Sequence, residues 1–142
     1  MLVQQIIKEK GDFVFTISPT ESVANAAALL DARKVGAMVV VNKGGAVVGI
    51  LSERDVVRVV AKDGPAGLAR SVADCMTRDV IFALPSESVD ALMARMTDRR
   101  VRHLPVLDAG RLIGIVSIGD LVKRKIAETE AEAATLKAYI AA

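Results

Sequence analysis

The stretch GILSERDV at positions 49–56 returns later in the chain as GIVSIGDL at positions 114–121. Each copy has a glycine, two aliphatic residues, a serine, two variable residues, an aspartate and an aliphatic residue. A second pair of matching stretches, PTESV at 19–23 and PSESV at 85–89, precedes these copies. The offsets of 65 and 66 residues are too long for a solenoid repeat and fit a small supersecondary module used twice. The chain is therefore an internal duplication.

The composition indicates a well-packed protein of modest size. Of the 142 residues, 52% are hydrophobic, which supplies a core for one compact domain or for two half-domains that share it. The apolar runs at 37–41 and 46–51 are much shorter than the roughly 18 residues of a membrane helix. The first eight residues lack the pattern of a secretory signal. We therefore expect a cytoplasmic protein with no membrane partner.

The chain offers few reactive side chains. One cysteine, Cys75, and one histidine, His103, cannot form an intrachain disulfide or the His/Cys cluster of a zinc site. Cys75 stands in the apolar stretch 72–76, where a buried and inert thiol is expected. Neither a nucleophile with an adjacent base nor a poised pair of carboxylates can be assembled. We therefore predict no enzyme, no catalytic residue, no metal site and no catalytic cofactor.

Hydrophobic periodicity and turn residues predict the same order of elements in both copies. The breaker-rich stretch 62–67 lies between the copies and is interpreted as the linker. Each unit reads strand, helix, strand, strand, helix, which predicts an α+β (α/β) fold whose two sheets pack on each other. The predicted strands are 13–17, 37–41, 46–51, 80–84, 103–107 and 111–116, and the predicted helices are 22–33, 52–61, 88–98 and a long one from 117.

The last helix carries a coiled-coil-like pattern. Apolar or small residues recur at alternating spacings of four and three, at Val122, Ile126, Thr129, Ala133, Leu136 and Ile140. We call these six residues the α-seam. Two interpretations remain open: the helix folds back on its own domain, or the α-seam contacts a second subunit.

These patterns together resemble a pair of cystathionine β-synthase (CBS) domains, the arrangement known as a Bateman module. The resemblance is carried by the repeated Gly-aliphatic-aliphatic-Ser-x-x-Asp motif, by RHLPV at 102–106, and by VADCMTRDV at 72–80, which is similar to the family's entry segment. It implies a tandem pair related by pseudo-twofold symmetry. The domains are expected at 1–62 and 71–125, with a linker at 63–70 and a C-terminal helical extension at 126–142.

The resemblance also implies a ligand. In this family, the cleft between the two domains offers two sites for adenosine-containing molecules such as AMP, ATP, NAD or S-adenosylmethionine. The expected ribose anchors are Ser52 with Asp55 and Ser117 with Asp120, since a carboxylate at a helix N-terminus can accept both ribose hydroxyls. The residues expected around the adenine are Val14, Phe15, Thr77, Val80, Ile81 and either Val35 or Val101.

The expected phosphate ligands differ between the copies. Arg102 and His103 match positions from which family members reach phosphate, whereas the corresponding residues of the first copy, Gly36 and Ala37, are uncharged. Arg54 is a candidate that compensates for this difference. Gly36 and Pro105 complete the predicted nucleotide-binding set. The two sites are therefore expected to be unequal, with the basic pair serving both or one site empty.

The Ser-x-x-Asp motif has a second interpretation that needs no ligand. It is also a capping box, in which the serine caps a backbone amide and the acid favours the helix N-terminus. One side chain can serve both purposes, so both interpretations stay open.

Three functions follow from these alternatives. The first is a regulatory module that senses adenine nucleotides, as in energy sensing, acting as a homodimer on an effector protein that the sequence does not identify. The second is a protein-interaction module with vestigial ligand sites. The third is a nucleic-acid-binding accessory that uses the basic residues at 99–103 and 123–125. This last function is disfavoured because 19 basic residues face 17 acidic ones and the chain has no tryptophan for stacking on bases.

Overall fold

The computed structural model describes residues 1–11 and 13–141. Helices and strands alternate along the chain in an order that repeats once. The elements are α1 (Val3–Lys10), β1 (Thr16–Ile17), α2 (Val23–Arg33), β2 (Ala37–Val41), β3 (Val47–Ser52), α3 (Glu53–Asp63), a 3₁₀ helix (Gly64–Ala69), α4 (Val72–Cys75), α5 (Val89–Arg99), β4 (His103–Asp108), β5 (Arg111–Ser117) and α6 (Ile118–Ala141).

The chain forms two compact units. The central unit comprises Val14–Ile81, and the terminal unit comprises Met1–Phe13 together with Phe82–Ala142. The central unit has a three-stranded sheet in the order β1-β2-β3, in which β1 is parallel and β3 antiparallel to β2. The terminal unit has the antiparallel hairpin β4-β5. The α+β architecture predicted from the sequence is confirmed.

In each unit, a segment that lies just before one copy of the repeat forms backbone hydrogen bonds with the other copy. In the central unit, the Thr77 amide donates to the Ile50 carbonyl (2.9 Å), and the Ile50 amide donates to Thr77 (3.0 Å). In the terminal unit, the Val3 amide donates to the Glu87 carbonyl (2.9 Å). The compact units therefore contain segments that are distant in sequence.

The glycine that opens each repeated motif permits this close approach. A Cβ atom added at Gly49 would lie 2.5 Å from the sulfur of Met76 and 2.9 Å from the Thr77 carbonyl oxygen. A Cβ atom added at Gly114 would lie 2.4 Å from Cδ1 of Ile7. At Gly49 the crowded atoms include a backbone carbonyl, so a side chain there would displace the segment 72–80. At Gly114 a side chain would require the end of the Ile7 side chain to move.

The core of the central unit contains apolar residues from β1, β2, β3, α2 and α4. It consists of Ile17, Ala26, Leu30, Met38, Val40, Leu51, Val72 and Met76. Strand β2 is buried at four of its five positions, so both of its faces are covered. The fully buried apolar residues of the terminal unit include Val3, Leu92, Leu104, Val106, Val116 and Leu121.

The strand predicted at 80–84 does not form, and only Ala83 makes a parallel bridge, to Val106. Ala83 donates to the Pro105 carbonyl (2.9 Å) and accepts from the Leu107 amide (3.0 Å), but Pro85, the next residue on the side of β4, has no amide to continue the ladder. Arg95 donates to the Phe82 carbonyl (3.1 Å), and the Leu84 amide donates to the Glu87 carboxylate (2.9 Å). The strand predicted at 13–17 is likewise shorter, with only Thr16–Ile17 in strand geometry.

The helices also differ from the sequence patterns in places. Helices α1 and α4 were not predicted, α3 continues to Asp63, and the breaker-rich stretch forms a 3₁₀ helix instead of an open linker. On α3, the apolar residues Val57 and Val60 are 67% and 40% exposed. They lie on the solvent side of a helix whose buried positions are Asp55 and Val59.

The distal part of α6 is exposed. Every residue from 129 to 141 is exposed, and so are Val122 and Ile126 of the α-seam. The alternative in which this part of the helix folds back on its own domain is therefore wrong. Within residues 1–11 and 13–141, no helix is long and apolar enough to span a bilayer.

Candidate functional site

The motif aspartate of the central unit is a buried carboxylate at the start of α3. Ser52 ends β3 in extended conformation, and its Oγ accepts a hydrogen bond from the Asp55 amide (3.3 Å). Asp55 Oδ2 accepts hydrogen bonds from the Ser52 amide (2.9 Å) and the Ser52 hydroxyl (3.2 Å). The capping box expected from the sequence is thus present, and it holds Asp55 at 4% exposure.

The other oxygen of Asp55 has partners that are easier to move. Oδ1 accepts hydrogen bonds from the Thr77 hydroxyl (3.3 Å) and from Arg58 (3.2 Å), whose side chain is 72% exposed. A hydroxyl can rotate and an exposed arginine can turn into solvent, so Oδ1 can exchange partners while Oδ2 keeps the helix cap. The carboxylate can therefore cap a helix and bind a hydroxyl donor at once.

The other site residues predicted in the central unit have different surroundings. The Gly36 carbonyl accepts the amide of Glu53 (3.0 Å), which places Gly36 at the N-terminus of α3, and Arg54 is exposed on the first turn. Phe15 and Val35 pack against the core, and the Arg33 guanidinium lies 4.5 Å from the centre of the Phe15 ring. The structure places three further predicted residues, Val14, Val80 and Ile81, half-buried near the ends of this unit.

The terminal unit brings four predicted site residues to one end of its hairpin. The Ser117 Oγ accepts the Asp120 amide (3.1 Å), and Asp120 Oδ2 accepts the Ser117 amide (2.9 Å). His103 is opposite Ser117 in the ladder, and the Arg102 carbonyl accepts the amide of Ile118 (2.8 Å). Ala37 and Gly36 hold the equivalent places in the central unit, opposite Ser52 and on the amide of Glu53. The basic residues Arg102 and His103 therefore adjoin the motif of Asp120, whereas the uncharged Gly36 and Ala37 adjoin the motif of Asp55.

Two other predicted residues of this unit have different surroundings. Val101 is half-buried and follows Arg100, which ends α5 in left-handed conformation at a φ of 55°. Pro105 is buried in β4, and its carbonyl accepts the amide of Ala83 (2.9 Å). The observed role of Pro105 is thus to join the sheet to the segment before α5.

The sequence reasoning missed Lys10. Its ammonium group lies 2.7 Å from Asp120 Oδ2 and donates a second hydrogen bond to the Ile115 carbonyl (2.9 Å). Burial raises the pKa of Asp120, but the hydrogen bonds from Lys10 and Ser117 outweigh it, so the pKa lies below its ordinary value. The helical spacing of Val3, Ile6, Ile7 and Lys10 is the signal that would have indicated α1.

A cavity of about 370 Å³ lies beside Asp120, between α1 and α6. A second ion pair, between Arg124 and Glu9, also joins the two helices there. The lining residues are Ile6, Glu9, Lys10, Asp120, Lys123, Arg124 and Ala127. Across the part of the chain that is described, no group of three or more His, Cys, Asp or Glu side chains could hold a metal ion.

Comparison with known proteins identifies the family. The CBS domain model matches residues 11–62 and 72–126, and the chain therefore belongs to the CBS domain family. It is 34% identical to the mitochondrial CBS domain-containing protein CBSX3 of Arabidopsis thaliana, over 97% of this chain and 71% of that protein. It also matches the inosine-5'-monophosphate dehydrogenase of Methanocaldococcus jannaschii at 32% identity, over 79% of this chain but 22% of that enzyme.

Solved structures show the same fold. A CBS-domain containing protein from Agrobacterium tumefaciens is 44% identical, with a TM-score of 0.85 over 87% of this chain and 92% of that one. The CBS domain pair of protein MJ0100, in complex with 5'-methylthioadenosine and S-adenosyl-L-methionine, is 26% identical, with a TM-score of 0.80 over 90% of this chain and 98% of that one. The tandem CBS-pair fold is thereby confirmed.

Proposed function

We propose that this chain is a regulatory module that binds adenosine-containing ligands of the AMP, ATP or NAD type. The carboxylates of Asp55 and Asp120 serve as ribose anchors. The observation that carries the proposal is Asp55 itself, a buried carboxylate with one oxygen fixed in a helix cap and the other on exchangeable partners. The adenosine-containing ligands of the MJ0100 domain pair support the same ligand class.

The chemistry of the proposed ribose contact follows from the two oxygens of Asp55. Ribose hydroxyls donate to Oδ1 and take the place of Arg58, while the Thr77 hydroxyl stays within reach as a neighbour. Hydrogen bonds to a charged group contribute about 1.5 to 3 kcal/mol each. The apolar residues Val14, Phe15, Val35, Val80 and Ile81 provide contacts for the adenine, and Val101 does so for the second copy. Arg54 in the central unit, and Arg102 with His103 in the terminal unit, are the proposed phosphate ligands.

A second function is favoured by a different observation. Both motif aspartates form complete capping interactions, so each has a structural reason to be present without any ligand. A protein-interaction module with vestigial ligand sites would show the same geometry. Ligand binding separates the two candidates.

The test is calorimetric titration of the full chain with AMP, ATP, NAD, S-adenosylmethionine and adenosine, together with the Asp55→Asn variant. We expect at least one ligand to bind, and Asp55→Asn to weaken binding in the central unit by about tenfold or more, because a neutral amide replaces the carboxylate. Ser88→Ala is the matched control. Ser88 caps α5 through the Ala91 amide (3.1 Å), so its loss should lower stability by about 1 kcal/mol and leave affinity unchanged.

The outcomes separate the two candidates. If Asp55→Asn weakens binding and Ser88→Ala does not, the carboxylate acts on the ligand and not only on the helix. If none of the five ligands binds, or if Asp55→Asn binds as the unsubstituted chain does, the ribose role is wrong and the interaction module is the better interpretation.

A further inference from the structure

Lys10 distinguishes the two motif aspartates from each other. Its ammonium lies 2.7 Å from Asp120 Oδ2, the same oxygen that accepts the Ser117 amide at 2.9 Å. In the central unit, the segment before the second copy reaches Asp55 through the uncharged Thr77 hydroxyl, which donates to Oδ1 (3.3 Å). The cation nearest to Asp55 is Arg58, three residues along the same helix and 72% exposed. Asp120 therefore differs from Asp55 in being paired with a cation from another helix, α1, and not with one from its own helix.

This ion pair alters what Asp120 can bind. A neutral ribose hydroxyl that approaches Asp120 meets a carboxylate already neutralised by an ammonium group, and charge-assisted hydrogen bonds are about twice as strong as neutral ones. If the hydroxyl displaces Lys10, the ammonium group loses its anion. A ligand that brings its own anion compensates for that loss.

The cavity beside Asp120 has room and charge for such an anion. It encloses about 370 Å³, and its lining carries three cations, Lys10, Lys123 and Arg124, against the two carboxylates of Glu9 and Asp120. A volume of this size falls within the range of small-molecule pockets. Arg124 is already paired with Glu9. The cations available to a phosphate in the cavity are therefore Lys123 and, once it leaves Asp120, Lys10.

We propose that Lys10 is a specificity-determining residue that makes the Asp120 side of the protein select phosphorylated adenosine ligands over neutral ones. When ribose binds Asp120, Lys10 transfers from the carboxylate to the 5'-phosphate of the ligand. The Asp55 side has no such lysine and discriminates less between AMP and adenosine. This inference rests on the proposed function, because it assumes that Asp120 binds ribose.

The experiment measures the ratio of AMP affinity to adenosine affinity by calorimetry in the Asp55→Asn chain, in which the remaining binding reports on Asp120. We expect AMP to bind more tightly than adenosine there, and Lys10→Met to reduce that ratio by about tenfold or more. Part of the change is tighter binding of adenosine, because its ribose hydroxyl no longer competes with Lys10 for the Asp120 carboxylate. Lys8→Met is the matched control, since Lys8 is exposed on the same helix and does not line the cavity.

Two further variants keep the inference testable. Lys10→Arg retains the charge and should retain most of the AMP preference, and Lys10→Gln replaces Lys10→Met if the latter fails to fold. An unchanged ratio in Lys10→Met, or an equal loss in Lys8→Met, would overturn the inference while leaving the proposed function intact. If neither AMP nor adenosine binds the unsubstituted chain while ATP, NAD or S-adenosylmethionine does, this inference alone is overturned. If none of the five ligands binds, the proposed function is overturned, and this inference with it.

Discussion

At the scale of single residues, the protein uses acidic side chains to hold backbone segments in place. Asp55 and Asp120 cap helices, and Glu87 accepts hydrogen bonds from the Leu84 amide (2.9 Å) and from Arg95 (3.0 Å). Arg95 in turn holds the Phe82 carbonyl (3.1 Å), so this ion pair fastens the segment before α5 to the helix. The hydrogen bonds from Arg95 outweigh burial and lower the pKa of Glu87 below its ordinary value of 4.5.

Replacement of Glu87 by glutamine should therefore make stability less dependent on pH. A carboxyl whose pKa is lower in the folded state than in the unfolded state stabilises the fold at pH values above its unfolded-state pKa. This contribution is lost as the pH falls through the folded-state pKa. We expect Glu87→Gln to be less stable than the unsubstituted chain by about 1 kcal/mol at pH 7, and expect the difference to shrink as the pH falls and the Glu87 carboxyl becomes protonated.

Urea unfolding at a series of pH values measures this difference. Glu130→Gln on the exposed part of α6 is the control and should show no pH-dependent difference. A Glu87→Gln chain that remains less stable by the same amount at low pH would show that its effect is not electrostatic.

At the scale of elements, the close approach of the segment 72–80 to β3 determines which groups contact the motif aspartate. Thr77 reaches Asp55 only because its backbone pairs with Ile50, next to a glycine that leaves room for Met76 and Thr77. The site chemistry therefore depends on a packing feature one residue away. This dependence explains why a glycine opens the motif, in addition to the serine and the aspartate that form the capping box.

Substitution of Gly49 by alanine tests this dependence. The added Cβ would lie 2.9 Å from the Thr77 carbonyl oxygen, a backbone atom, so the entry segment must shift and lose its pairing with Ile50. We expect a loss of stability of about 2 kcal/mol, in the range of overpacked cores, and weaker ligand binding through displacement of Thr77. Chemical denaturation and calorimetric titration measure the two effects.

Gly44→Ala is the matched control for this substitution. It lies in the turn between β2 and β3, where the nearest atom to an added Cβ is Asn42 Oδ1 at 3.4 Å. The change should stay within about 0.5 kcal/mol. Equal losses at the two glycines would indicate a loss of backbone freedom and not a steric overlap.

At the scale of the whole molecule, α6 leaves a large apolar surface exposed. Ile126, Leu136 and Ile140 of the α-seam are 53%, 59% and 74% exposed. Their spacing matches that of a helix pair, in which a second helix covers such a row of side chains. We therefore propose that a second copy of this chain covers the α-seam, in keeping with the homodimer that the family resemblance implies.

Sedimentation velocity on the full chain tests this association. We expect a dimer, and expect the double substitution Leu136→Glu with Ile140→Glu to shift it toward monomer, because two charges would be placed in an apolar contact. Ala131→Glu with Ala138→Glu is the matched control, since it adds the same charge on the opposite face of the helix. A monomeric unsubstituted chain, or equal dissociation of both variants, would contradict the dimer through the α-seam.

The sequence by itself determined the duplication, the hairpins β2-β3 and β4-β5, the helices α2, α3 and α5 with their serine caps, and the pairing of Ser52 with Asp55 and Ser117 with Asp120. These features depend on residues close together in the chain, through periodicity, turn residues and capping, and such local signals can be read from a sequence.

Only the tertiary structure decided which distant segments complete each unit. Lys10 and Asp120 are 110 positions apart, and Thr77 and Asp55 are 22 apart. The strand expected at 80–84 is reduced to a single bridge at Ala83, and the Phe82 carbonyl and Leu84 amide on either side of it bond to the side chains of Arg95 and Glu87. A hydrogen bond between distant residues depends on where the fold brings them, and no local pattern in the chain encodes that position. To the difference between the copies at Arg102 and His103, the structure adds the ion pair between Lys10 and Asp120.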